Sequence, residues 1–129
     1  MKFILKLLFL FALLSSCFAN TIQCPPIEKV KAAKFVDAVS WMPGKWSALS
    51  NTFINDGNTW AAGAVFDYDV DTKSEALDYL QQQIQKTQLM EPEMHKNNDE
   101  ITCLYTQEES FLIMAIYPAG RKVSVNYFH

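Results

Sequence analysis

Glycine is scarce in this chain: Gly44, Gly57, Gly63 and Gly120 are the only four in 129 residues. None is spaced to cradle a phosphate or to form a nucleophile elbow, which argues against nucleotide binding and against that class of hydrolase. Histidine is scarcer still. His95 and His129 lie in no recognisable nucleophile motif, so the general base that hydrolytic or covalent catalysis requires is wanting and the chain is not expected to be an enzyme. Lys and Arg number 11 against 14 Asp and Glu and form no cluster, a balance that argues against nucleic acid or an anionic membrane surface as partner. No internal repeat, low-complexity tract or second domain is evident.

What is present begins with an export signal. Lys2 and Lys6 flank a stretch without acids, and the apolar run Leu7 to Leu14 follows, the charged n-region and short h-region of a bacterial signal peptide. A bilayer span needs about 20 apolar residues, so the run is too short to anchor the chain. Cys17-Phe18-Ala19 before Asn20 suits ordinary cleavage, with residues 1–19 removed and 20–129 remaining as one domain. Leu14-Ser15-Ser16-Cys17 also resembles the lipobox of lipoproteins, and in that alternative Cys17 is acylated and holds the protein to a membrane. The location expected is the periplasm or beyond the cell. Removing Lys2 and Lys6 leaves nine basic against 14 acidic side chains, a net charge of about −5. Either processing route leaves Cys24 and Cys103 as an even pair. In an oxidising compartment the pair is expected to form a disulfide, closing a loop of about 80 residues and contributing about 2–4 kcal/mol.

Hydropathy patterning predicts an α+β domain: a five-stranded, largely antiparallel sheet with two helices, in the order α-β-β-α-β-β-β. A helix is expected from about Pro26 to Ser40, its apolar stripe carried by Ile27, Val30, Phe35, Ala38 and Val39, and Trp41-Met42-Pro43-Gly44 breaks it. Trp46 to Ile54 and Thr59 to Val70 read as strands joined by Asn55-Asp56-Gly57-Asn58, a turn sequence that tolerates positive φ. The face of the second strand bearing Phe66 and Tyr68 is expected to be buried. Thr72-x-x-Glu75 is a capping box, and Ala76, Leu77, Leu80 and Ile84 form the stripe of the helix it starts. Leu89 to Glu100 reads as a long loop. Strands follow at Ile101 to Thr106, Phe111 to Tyr117 and Val123 to Phe128. The middle one is apolar on both faces, which predicts a central strand with one helix on each side.

Three constellations bear on function. Asp67-x-Asp69-x-Asp71 with Asp78 has the spacing of a calcium loop, but Thr72 stands where the loop needs glycine; wet strand positions and a helix cap explain these carboxylates as well. Met90, Met94 and His95 combine thioether and imidazole, ligands for copper or haem iron. Aromatic residues make up 13% of the chain, more than one small core requires, and a flat apolar ligand is a natural use for the surplus.

The lysine-flanked leader, Cys24-Pro25-Pro26, Trp41-Met42-Pro43-Gly44-Lys45-Trp46, the Asn55-Asp56-Gly57 turn and Glu108-Glu109-Ser110-Phe111 together resemble a family of small exported proteins from intracellular bacterial pathogens, many of them labelled hemin-binding proteins. The resemblance implies a non-enzymatic exported protein that binds haem. His95, Tyr105, Tyr117 and Tyr127 are the candidate iron ligands, because imidazole and phenolate both bind ferric iron. Cys24-Pro25 resembles a haem-regulatory dipeptide, which a disulfide would silence. The other reading is an envelope or secreted interaction module that offers a strand edge or aromatic patch to another protein.

Overall fold

The computed structural model describes residues 21–120. They form helix α1 (Ile27–Ala32), strands β1 (Phe35–Met42), β2 (Lys45–Asn55) and β3 (Asn58–Asp67), helix α2 (Lys73–Lys86), and strands β4 (Glu93–Asn97), β5 (Glu100–Leu104) and β6 (Phe111–Tyr117). The fold is α+β, but its antiparallel sheet has six strands in the order β1-β2-β3-β6-β5-β4, not five. The strand expected at Val123 to Phe128 lies outside the described residues.

Two local expectations account for the difference in strand number. The first helix stops at Ala32, where Ala33 turns extended at φ −63° and ψ 136°, and the rest of the expected helix is β1. β-Branched and aromatic residues favour that outcome. A register shift between Phe35 and Asp37 puts Phe35 and Ala38 on one face at a spacing of three, so a bulged strand imitates a helical stripe. The second correction is β4. Glu93 to Asn97 has no hydropathic alternation because it is an edge strand in which four of five residues are polar or charged and only Met94 is apolar, a composition that discourages pairing with a further chain. Asn98, at φ 56°, turns the chain back into β5.

Other local signals act as their chemistry requires. Asp56 and Gly57 adopt φ 49° and 80° and close the β2–β3 hairpin with Asn55 opposite Asn58. The Thr72 hydroxyl accepts from the Glu75 amide at 3.2 Å and donates to Glu75 Oε1 at 2.8 Å, which satisfies a first-turn amide of α2. Ala76, Leu80 and Ile84 follow at helical spacing and are fully buried. In β2, two residues oppose one in β3 between Leu49 and Thr52. Ser50 Oγ fills the gap by accepting from the Ala62 amide at 2.8 Å.

β6 lies between β3 and β5, as expected of a strand that is apolar on both faces. The two helices do not lie on opposite sides of it. Val30 of α1 and Ala76, Leu80 and Ile84 of α2 belong to one cluster with Trp60, Ala62, Ala64, Phe66, Cys103, Ile113 and Ala115, so both helices cover the same face. Phe66 is buried there, whereas Tyr68 is only half-buried and stacks on Tyr79 at 3.8 Å between ring centres. The Cys24–Cys103 disulfide ties the segment before α1 to β5 on this side, with Cα atoms 5.8 Å apart. Among the described residues no helix is long and apolar enough to cross a membrane.

Candidate functional site

Alternation along the strands gives the sheet a second face, and its residues come from both edges and the centre. Ala61 and Val65 of β3 and Met114 and Ile116 of β6 form a second buried cluster, against which Trp41, Leu49, Leu104, Leu112 and Ala119 are partly buried. Neither helix contributes a residue to it. Val39, opposite Ser47 in the β1–β2 register and hence on this face, is 61% exposed. The face thus carries an apolar strip from β1 across to β5 to which neither described helix contributes; its centre, Ala61, Val65, Met114 and Ile116, is buried, and its β1 end is exposed at Val39.

Two polar atoms interrupt the strip. Trp41 Nε1 and Ser47 Oγ are shielded from solvent yet have no hydrogen-bond partner among the described residues. An unmatched buried polar group costs about 1–3 kcal/mol, and buried polar atoms are matched in most folded proteins. The indole N–H can only donate, whereas the hydroxyl can both donate and accept.

The expected iron ligands do not assemble. Tyr105 is fully buried on the helix side, and its hydroxyl donates to the Pro25 carbonyl. Burial, with a lesser contribution from Glu91, raises the pKa of this phenol well above the ordinary value, so phenolate is disfavoured. Tyr117 also packs on the helix-side cluster, tilted against Trp60 at 5.4 Å. His95 pairs with Thr102, which pairs with Ile116, and this register puts His95 on the helix-free face. Its Nε2 lies 3.3 Å from Glu93 Oε1. Tyr127 lies outside the described residues. Replacing Tyr105 with phenylalanine is expected to lower stability by about 1–3 kcal/mol, because the buried Pro25 carbonyl loses its donor, and to leave hemin affinity unchanged; urea unfolding and a hemin titration of the same variant check both halves.

Nor do the metal motifs converge. Met94 pairs with Cys103, a helix-side residue, so Met94 and His95 project from opposite faces of β4. Asp67 pairs with Lys45 at 2.6 Å, and Thr72 is spent on capping α2. Among the described residues no group of three or more His, Cys, Asp and Glu is placed to hold a metal ion.

The chain matches no family model, no curated protein and no solved structure. The helix-free face was not expected from the sequence because its members are spread over five strands, and each reads locally as one more apolar strand residue. Which face stays uncovered depends on where α1 and α2 pack.

Proposed function

We propose that this is an exported, non-enzymatic binding module that docks another polypeptide on the helix-free face of its sheet. The observation that carries the reading is the apolar strip containing Val39, Trp41 and Leu49, with two solvent-shielded polar atoms that have no partner among the described residues. Val39 is exposed on the edge strand β1 beside the partly buried Trp41 and Leu49, and recognition at a sheet edge pairs main-chain groups while neighbouring apolar side chains select the partner's side chains. The disulfide suits an oxidising compartment, and so supports the export reading on which a partner in the envelope or outside the cell depends.

A photo-crosslinking residue at position 39 is expected to capture a polypeptide from envelope or culture extracts, and the same residue at position 86, on the exposed side of α2, is not. Val39→Lys on the unmodified background should abolish co-purification of that polypeptide while changing stability by no more than about 0.5 kcal/mol, since lysine is well tolerated on an exposed edge strand. Equal capture from positions 39 and 86, or none, defeats the reading.

Hemin remains the second reading, now in a narrower form. The same face is apolar, and His95 is the one expected ligand among the described residues that the register puts on it. A porphyrin lying on the strip would draw one axial ligand from His95. Titration with hemin at micromolar concentration distinguishes this version: a Soret shift lost in His95→Ala supports it, and a shift unaffected by that substitution does not.

A further inference from the structure

A second concavity, separate from the sheet face, lies where the α1–β1 connection meets α2. It is a shallow groove of about 680 Å³ lined by Lys31, Ala33, Lys34, Gln81 and Gln85, with Glu28 at its rim. Successive turns of α2 supply the two glutamines, and each uses part of its amide to hold the connection. Gln81 Oε1 accepts from the Phe35 amide at 3.2 Å, and Gln85 Nε2 donates to the Lys31 carbonyl at 3.0 Å. Both amides are thereby oriented. The Gln81 NH₂ and the second N–H of Gln85 make no hydrogen bond among the described residues and are free to donate to a ligand in place of solvent.

The lysines here differ from several others in the chain. Lys45 and Lys73 pair with Asp67 and Asp37, and Lys29 donates to the Ile54 carbonyl at 2.8 Å. Lys31 and Lys34 make no ion pair among the described residues, and both line this one groove. Two ammonium groups with no ion pair among the described residues outweigh the single Glu28 carboxylate of the groove, and with the pre-oriented amide donors they form a donor-rich recess in an otherwise acidic protein, whose concave wall focuses such a field. Orienting the amides in advance lowers the ordering cost of binding. Buried Ala33 supplies an apolar patch, and Glu28 can accept a ligand hydroxyl.

We propose that this groove binds the oxyanion, carboxylate or phosphate, of a small hydroxylated ligand. Lys31 and Lys34 supply the charge, and the Gln81 and Gln85 amides set the orientation. The site is independent of the docking face, and neither depends on the other being correct.

The test is an amide and side-chain NMR titration of the purified, disulfide-bonded chain with inorganic phosphate and, separately, with glucuronate. Either probe is expected to shift the Lys31–Phe35 amides and the Gln81 and Gln85 side-chain NH₂ signals, with a Kd of roughly 1 mM. The double variant Lys31→Gln/Lys34→Gln should weaken binding about tenfold or more and leave the thermal unfolding curve in place, because both side chains are at or near the surface. Lys86→Gln and Lys96→Gln should leave binding unchanged. Shifts spread evenly over Lys86, Lys96 and the groove, or no shift with either probe at about 20 mM, overturn the proposal.

Discussion

Replacing Cys24 and Cys103 together with alanine is expected to lower the unfolding free energy by about 2–5 kcal/mol, the usual loss when a small domain gives up its disulfide. The crosslink spans 79 positions of sequence, so the unfolded chain regains most of its freedom when the bond is absent. A second cost falls on the native state. Cys103 is fully buried in the helix-side core, and truncating it leaves a small void there. Domains of this size have about 5–15 kcal/mol in total, so the loss is a large fraction of stability. Urea unfolding of the oxidised protein, the reduced protein and the double alanine variant measures it. The reduced and alanine forms should unfold at similar midpoints, both well below the oxidised form. Coincidence of all three curves would show that the segment before α1 is held by packing alone, through Val30, Pro25 and the Tyr105 hydroxyl.

How much of this molecule is legible in its sequence depends on the range over which each feature is determined. The Asp56-Gly57 turn and the Thr72–Glu75 capping box are settled within four residues, and both form where their chemistry requires. β6 is readable for a related reason: seven apolar residues in succession suit only a strand covered on both faces. β1 is misleading because the bulge after Phe35 replaces the strand period of two with a spacing of three, and a bulge is invisible without the partner strand. β4 is hidden by the polar composition that protects a sheet edge. The candidate site is the least legible part. Phenolate chemistry makes Tyr105 a reasonable ligand until its hydroxyl is found on a carbonyl 80 residues away. The helix-free face is a consequence of packing: both described helices lie on one side of the sheet.

Trp60 permits a sharper test of the core than a single truncation gives. It is fully buried, tilted against Tyr117, and paired across the hairpin with Phe53. Its indole N–H has no acceptor among the described residues. Two opposing contributions therefore meet in one side chain: the ring fills volume at the end of the helix-side cluster, and its nitrogen carries a desolvation penalty of about 1–3 kcal/mol. Trp60→Ala removes both and leaves a large cavity, for an expected loss of about 3–5 kcal/mol. Trp60→Phe keeps most of the apolar volume and discards the unmatched donor, so the smaller void and the relieved nitrogen offset each other and the net loss should stay below about 1.5 kcal/mol. Denaturant unfolding of the two variants beside the parent chain reads the difference directly. If phenylalanine proves as costly as alanine, the indole nitrogen has a hydrogen-bond partner in solution.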